Sequence, residues 1–396
     1  MNNQRDVVIV GAARTPIGRF QGTLARVPAT ELGGIVIREA IRRAGVDPAE
    51  VDEVLMGQVV QAGSGQAPAR QAAIKAGLPY TVGATTVNKI CGSGLKTVMM
   101  AAQAIRVGDA DIIVAGGMES MDMGPYLLPQ ARTGYRLGHG QLLDATVHDG
   151  LWCALLDWHM GNAAEFIARE YGLTREELDR YALGSHRKAI AAIDGGKFKA
   201  EIVPVEVPQR KGPPILFDTD EAPRRDTSME ALARLRPAFQ EGGMVTAGNS
   251  PGITDGAAAL VVMGADVAEE RGIEPLARIT GYAQAAVDPK WIFIAPVHAV
   301  RRLMERTGHE LDDFDLLEVN EAFAAQILAD GKELGWDWDR VNVHGGAIAL
   351  GHPIGCSGAR VLVTLLYAMR DRGAKRGLAA LCLGGGEAVA MSVEME

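Results

Sequence analysis

One pattern of residues occurs twice in the chain, first over residues 92–120 and again over residues 355–388. Each copy opens on a short turn of glycine with serine or cysteine and continues as an apolar, helix-like segment. Each then reaches a glycine, Gly108 or Gly373, before a strand-like run. An internal duplication explains these copies, since their spacing is far longer than that of a solenoid repeat. We therefore predict two similar halves packed face to face, with a functional site where they meet.

The alternation of strand-like and helix-like segments divides the whole chain into regions. In residues 1–121, strand-like DVVIVGAA and VDEVLMGQVV alternate with helix-like LGGIVIREAIRRAG, which is typical of α/β layers. Residues 122–249 lose this alternation and are rich in Pro, Gly, Arg and aromatic residues, which predicts an inserted loop domain. The alternation then returns. We predict an N-terminal half made of 1–121 plus 250–270, a loop domain over 122–249 and a C-terminal half over 271–396.

Composition narrows the function classes. The formal net charge of −9 argues against a non-specific nucleic-acid partner, because the phosphate backbone attracts basic surfaces. No apolar run approaches the roughly 18 residues that span a bilayer, so we expect no membrane partner and a cytoplasmic location. The four cysteines show neither a disulfide framework nor a zinc spacing, and we expect reduced thiols and no metal.

Cys91 is the cysteine that the repeated pattern places most distinctively. A helix is predicted to begin near Ser93 and to end before Gly108, with one apolar face formed by Leu95, Val98, Met99, Ala102 and Ile105. The free N–H groups and positive dipole end of that helix would lower the pKa of Cys91 from about 8.5 towards roughly 3.5 to 7.5, giving a nucleophile. The competing interpretation is a small, buried and inert cysteine. A phosphate-binding loop is excluded, because Leu95 separates the glycine from Lys96.

The C-terminal half supplies an amide, a histidine and a second cysteine beside small residues. His352 lies between a glycine and a proline, in a tight turn ahead of a helix predicted to open near Ser357, the mirror position to Cys91. Asn320 could instead cap a helix beginning EAFAAQ, and Cys382 could be an inert thiol in the strand-like LAALCL. The other two cysteines, Cys153 and Cys356, are predicted to be structural.

Six motifs, CGSG, GGMES, HMG, NEAF, GGAIALGHPIGCSGAR and CLGGG, occur together and in this order. With them the sequence resembles the thiolases, acetyl-CoA acetyltransferases and 3-ketoacyl-CoA thiolases, over essentially the whole chain. The resemblance implies an α/β fold of two duplicated βαβαβαββ halves that form a five-layer α/β/α/β/α core, with the loop domain over the CoA site. It also implies a homo-oligomer, commonly a tetramer built as a dimer of dimers.

The resemblance implies a reversible Claisen condensation of two acetyl-CoA to acetoacetyl-CoA and CoA, through an acyl-cysteine. Cys91 would be acylated, and His352 would take its proton and later help hold the thioester oxygen of the second substrate. Cys382 would protonate the leaving CoA and remove an α-proton from the attacking acetyl-CoA. One oxyanion site would use His352 and a water held by Asn320, and another the N–H groups of Cys91 and Gly384. CoA thioesters are substrates here, and no cofactor is implied.

The resemblance also implies residues that line the channel for pantetheine and the acyl group, with an arginine near the adenine. These positions are Leu151, His159, Met160, Arg224, Phe239, Ala247, Pro251, Ile292, Ala322 and Phe323. Arg224 suits CoA because a guanidinium stacks on a base and pairs with phosphate, and a solvated loop arginine is the competing interpretation. Pro251 and Ala231 stand where relatives often have serines that contact CoA, so two hydroxyl contacts are predicted to be missing.

Chain-length preference depends on Ile292 and Phe293, which replace a methionine and a glycine of the family pattern near the acyl end of the pocket. If Phe293 points inward, it narrows the space beyond the acetyl group, and if it points outward it belongs to the core or an interface. We expect a preference for acetyl and acetoacetyl groups.

Three alternatives stay open. A degradative 3-ketoacyl-CoA thiolase would accept longer chains. A ketoacyl synthase would use two histidines with its cysteine, against which Cys382 argues. A non-catalytic scaffold that binds CoA or a partner enzyme should have lost Cys91, His352 or Cys382, and the chain has all three.

Overall fold

The computed structural model describes residues 5–395, and these contain sixteen strands and eleven helices. The strands are β1 Val7–Arg14, β2 Gly18–Arg19, β3 Glu53–Gly57, β4 Gly83–Val87, β5 Ile112–Ser120, β6 Tyr126–Leu127, β7 Leu143–Asp144, β8 Trp152–Cys153, β9 Trp158–His159, β10 Val205–Val207, β11 Ile215–Phe217, β12 Thr254–Gly264, β13 Ala277–Ala286, β14 Leu316–Val319, β15 Arg376–Leu383 and β16 Glu387–Glu394. The helices are α1 Ala29–Ala44, α2 Pro68–Ala76, α3 Ser93–Val107, α4 Met160–Glu170, α5 Arg175–Asp194, α6 Met229–Ala233, α7 Ala265–Glu270, α8 Ala295–Thr307, α9 Ala324–Leu334, α10 Ala347–Leu350 and α11 Ile354–Arg372.

The main sheet repeats one strand topology in its two halves. Its order is β14-β15-β16-β13-β1-β12-β5-β3-β4, and β2 pairs with β12. On the N-terminal side, β1 pairs antiparallel with β12, β12 pairs antiparallel with β5, and β3 runs parallel to β5 and β4. On the C-terminal side, β13, β16, β15 and β14 take the corresponding places with the same directions. The two halves join where β1 and β13 share two residue pairs.

The third strand of the C-terminal half is reduced to one bridge, between Val341 and Leu317. Asn342 ends it, because this residue has a left-handed backbone with φ of 46°. The side-chain amide of Asn342 then bonds both the N–H and the C=O of Val319, each at 2.8 Å, as a further strand residue would.

Five layers follow from the alternation of side chains along the strands. In β1, Val8 and Val10 pack on one face against α1 and α2, while Val7 and Ile9 pack on the other against α3 and α11. Helix α8 covers the outer face of the C-terminal side at β13 and β16. The order is therefore helices, sheet, α3 with α11, sheet and helices, which confirms the predicted α/β/α/β/α core.

The central helices approach each other closely at a pair of mirrored glycines. A Cβ built on Gly94 would lie 2.6 Å from the Ala359 nitrogen, and one on Gly358 would lie 2.3 Å from the Leu95 nitrogen. Only glycine allows this backbone-to-backbone contact. Both helices end as predicted, since Gly108 and Gly373 have left-handed backbones that cap α3 and α11.

The strands between residues 122 and 249 stay apart from the main sheet. They form three two-stranded sheets, β6-β7, β8-β9 and β10-β11. Helix α5 begins at a capping box in which Thr174 and Glu177 bond each other's backbone N–H groups. Among residues 5–395, none of the helices combines the length and apolar character that a bilayer crossing requires.

We expect Gly358→Ala to lower the free energy of unfolding by about 1–3 kcal/mol, because the new methyl group overpacks the contact with α3. The matched control is Gly184→Ala inside α5, where a Cβ meets nothing within 4 Å. That change should stabilise by about 0.5–1 kcal/mol, since alanine favours a helix interior. Urea denaturation measures both changes, and equal stabilities for wild type and Gly358→Ala would contradict the close contact.

Candidate active site

A cavity of about 340 Å³ lies at the N-terminal ends of α3 and α11, where the two halves meet. Its lining is mostly apolar and includes every predicted site residue except Asn320 and Arg224. The predicted residues that it brings together are Cys91, Leu151, His159, Met160, Phe239, Ala247, Pro251, Ile292, Ala322, Phe323, His352, Cys382 and Gly384.

Cys91 lies two residues before the first residue of α3, at the end of a tight turn. The preceding Ile90 has φ of 48°, which is strained for a β-branched residue. Ser93 holds the turn, since its Oγ accepts the N–H of Lys89 at 2.8 Å and donates to the Ile90 carbonyl at 2.7 Å. The thiol lines the cavity, where the backbone N–H groups of Gly384 and of Cys91 itself act to lower its pKa.

The electrostatics of Cys91 reverse the prediction made from helix position alone. Burial raises the pKa of the thiol to about 12, the two N–H groups lower it, and the carboxylate of Glu119 raises it further. A lowered pKa is therefore wrong for the free protein. The physical reason is that loss of hydration of the thiolate outweighs two backbone donors and a helix end.

His352 also lies two residues before its helix, so it mirrors Cys91 as predicted. The helix begins at Ile354, three residues earlier than expected, because Pro353 stands at its N-cap. Burial, followed by the charge of Arg360, lowers the pKa of His352 to about 3, so the ring is neutral. Its backbone N–H donates to Thr254 Oγ1 at 2.9 Å.

Ser357 determines which ring nitrogen of His352 carries the proton. The Ser357 hydroxyl donates its hydrogen to the Pro353 carbonyl at 2.9 Å. Because that hydrogen is used, the Ser357 oxygen accepts a hydrogen bond from the N–H at His352 Nδ1, at 2.6 Å. His352 Nε2 is thereby an acceptor, and Asn320 Nδ2 lies 3.4 Å from it. The ring is oriented to take a proton at Nε2. The sequence analysis missed this role, although a serine in the first turn of the following helix marked its position.

Asn320 is fully buried beside the cavity lining and does not cap a helix. Helix α9 begins only at Ala324, with Phe323 at its N-cap, so the capping interpretation is wrong. The N–H of Asn320 donates to Ala380. Its side-chain Oδ1 has no hydrogen-bond partner among the described residues. A buried, unpaired amide oxygen next to His352 is suited to accept a hydrogen bond from a bound water or from a group of the substrate.

Cys382 lies in β15 as predicted, and its side chain reaches the cavity. The residue is 2% exposed, and burial first, then the neighbouring Cys91, raises its pKa well above the usual range. The two thiols are thus close enough to interact electrostatically. Cys153 and Cys356 are also buried and lie outside this cavity.

Phe293 lines the cavity and belongs to the 3-10 turn Pro289–Ile294. It is 2% exposed and packs edge-on against Phe323, with ring centroids 5.3 Å apart. Phe323 contacts Phe239, whose ring stacks on His159 at 4.8 Å. One wall of the cavity is therefore a row of rings that runs from His159 through Phe239 and Phe323 to Phe293.

Two positions from the resemblance lie elsewhere. Arg224 is exposed and does not line the cavity, and its backbone N–H donates to His186 at 3.2 Å. Ala231 lies in the first turn of α6, where its N–H donates to the hydroxyl of Ser228. Pro251 does line the cavity.

Comparisons with known proteins agree along the whole chain. The model of the thiolase N-terminal domain matches residues 7–266, and that of the thiolase C-terminal domain matches residues 273–395. An acetyl-CoA acetyltransferase of Pseudomonas aeruginosa is 60% identical over 98% of this chain and 99% of its own length. One of Cupriavidus necator is 57% identical with the same coverage. The crystal structure of the Bacillus anthracis acetyl-CoA acetyltransferase superposes with a TM-score of 0.98, at 46% identity, covering all of both chains.

We expect the rate of Cys91 alkylation by iodoacetamide in the free protein to rise about tenfold per pH unit between about pH 6 and pH 9. The reason is that the raised pKa of Cys91 keeps the thiol protonated throughout that range. Peptide mapping after timed alkylation measures the rate at this residue. A rate independent of pH would instead show a resting thiolate–imidazolium pair.

Proposed function

This chain belongs to the thiolase family, and on that premise we propose that it is an acetyl-CoA acetyltransferase. It converts two acetyl-CoA to acetoacetyl-CoA and CoA by a reversible Claisen condensation. The observation that supports this most directly is one cavity lined by Cys91, His352, Cys382 and Gly384. CoA thioesters are its substrates.

Acyl transfer to Cys91 is the first half of the reaction. The sulfur attacks the thioester carbon of acetyl-CoA while His352 Nε2, the acceptor nitrogen of the ring, takes the thiol proton. The carbonyl oxygen becomes negative and is received by the N–H groups of Cys91 and Gly384. The bond from carbon to the CoA sulfur then breaks, Cys382 protonates that sulfur, and acetyl-Cys91 remains.

Carbon–carbon bond formation is the second half. The Cys382 thiolate removes an α-proton from a second acetyl-CoA, and the enolate oxygen is held by protonated His352 Nε2 and a water on Asn320. The α-carbon attacks acetyl-Cys91, the C–S bond to Cys91 breaks, and acetoacetyl-CoA leaves. Cys91 regains its proton from His352. The pKa of His352, lowered by burial to about 3, favours return of this proton once the Cys91 thiolate forms.

CoA is proposed to approach along the loop-domain side of the cavity. Leu151, His159, Met160 and Ala247 supply an apolar path for the pantetheine arm from that side. Arg224 is proposed to contact the adenine from its exposed position outside the cavity.

A homo-oligomer, as a tetramer built from two dimers, is the proposed assembly. Strand β4 is an edge of the main sheet, and an edge strand is a ready surface for pairing. Large apolar side chains are exposed over residues 126–142, among them Tyr126, Leu128, Leu137 and Leu142. We place the protein in the cytoplasm and divide it into the N-terminal half (1–121 with 250–270), the loop domain (122–249) and the C-terminal half (271–396).

Two competing functions differ in measurable ways. A degradative thiolase of broader chain length would need space beyond the acetyl group, and we propose that Phe293, which lines the cavity, restricts that space. A non-catalytic scaffold would bind acetyl-CoA without turnover, yet the two thiols and the oriented imidazole are all present.

We expect Cys382→Ala to separate the two half-reactions. The variant should still transfer acetyl to Cys91, more slowly, but should no longer exchange the α-protons of acetyl-CoA with deuterium from solvent. The matched control is Cys356→Ala, which removes another buried thiol that lies outside the cavity. NMR follows the exchange, and undiminished exchange in Cys382→Ala would remove Cys382 from the mechanism.

We expect the wild type to cleave a four-carbon 3-ketoacyl-CoA at least about 100-fold better than a ten-carbon one, judged by kcat/KM, because a closed pocket rejects added methylenes. Phe293→Ala should raise the relative value for ten carbons by at least about tenfold. Ile294→Ala, in the same turn but outside the cavity lining, is the control and should keep the wild-type ratio. Equal rates for both chain lengths in the wild type would favour the degradative function.

A further inference from the structure

Glu119 is a buried carboxylate to which the mechanism assigns no role. It lies in β5, is fully buried, and its two oxygens accept three backbone N–H groups. The Val59 and Gly355 N–H groups donate to Oε2, each at 2.9 Å, and the Val60 N–H donates to Oε1 at 3.2 Å. Unlike Glu318, which pairs with Arg360, Glu119 has no cationic partner among residues 5–395.

The three donors come from both halves of the molecule. Val59 and Val60 follow β3 in the N-terminal half, whereas Gly355 is in the first turn of α11, three residues after His352. The contact is tight, since a Cβ on Gly355 would lie 2.6 Å from the Glu119 Oε2. A carboxylate accepts at both oxygens, whereas a glutamine amide would turn a donor toward one of these N–H groups.

We propose that Glu119 is a positioning residue for acyl transfer. Through Gly355 it fixes the turn that bears His352 against the half of the molecule that bears Cys91. This inference rests on the proposed function. The groups that face Cys91 are the Gly384 and Cys91 N–H groups, the thiol of Cys382 and the charge of Glu119, which raises the pKa of Cys91. Glu119 therefore affects both the alignment of Cys91 with His352 and the protonation of the Cys91 thiol.

The test compares Glu119→Gln, which loses the charge, with Glu119→Asp, which keeps the charge on a shorter side chain. Both should lower kcat for acetoacetyl-CoA thiolysis at least about tenfold, with KM changed by less than about twofold, because alignment and not binding is lost. Only Glu119→Gln should speed alkylation of Cys91 by iodoacetamide at pH 8, by about threefold, since the nearby negative charge is gone.

The matched control is Glu165→Gln, which alters another fully buried glutamate whose carboxylate accepts only backbone N–H groups, those of Met244 and Val245. It should leave the alkylation rate of Cys91 unchanged. Wild-type kcat in both Glu119 variants, or equal alkylation rates in Glu119→Gln and wild type, would overturn the proposal. If Glu119→Gln does not fold, the kcat and KM of Glu119→Asp decide. Alkylation needs no turnover, so an inactive wild type would refute the proposed function while the test of Glu119 still stands.

Discussion

The backbone contact between α3 and α11 is the constraint on which the rest of the structure depends. Gly94 and Gly358 let the two helices meet without side chains between them, and both glycines lie near the N-terminal end of their helix. Each helix is preceded by a turn that bears one reactive group, so the contact brings Cys91 and His352 to one cavity. The duplicated fold thus supplies a site that neither half contains alone.

Burial is the dominant electrostatic effect in that cavity. It raises the pKa of Cys91 to about 12 and lowers that of His352 to about 3, so the resting pair is a thiol and a neutral imidazole. In the proposed mechanism, transfer of the thiol proton becomes favourable only as the sulfur bonds to carbon and the oxyanion forms against the Gly384 N–H. The aromatic row that ends at Phe293 forms one wall of the same cavity.

Features that depend on residues close together in the chain could be predicted from the sequence. The apolar face and glycine cap give the bounds of α3, and the mirrored positions of Cys91 and His352 follow from the repeat. Properties that depend on tertiary contacts could not be predicted. The direction of the Cys91 pKa shift depends on burial, and the place of Phe293 in the cavity lining depends on its contact with Phe323. The motif resemblance implies that Arg224 lies near CoA, and only the structure shows that Arg224 lies outside the cavity.

Incubation with acetyl-CoA alone, followed by intact-protein mass spectrometry and peptide mapping, tests the central claim most directly. The account predicts one acetyl group per chain, on Cys91, formed at neutral pH although the free thiol is protonated there. His352→Ala should form this adduct far more slowly, because the variant lacks the ring nitrogen that is proposed to take the proton of the Cys91 thiol. An acetyl group on another residue, or no adduct, would contradict the account.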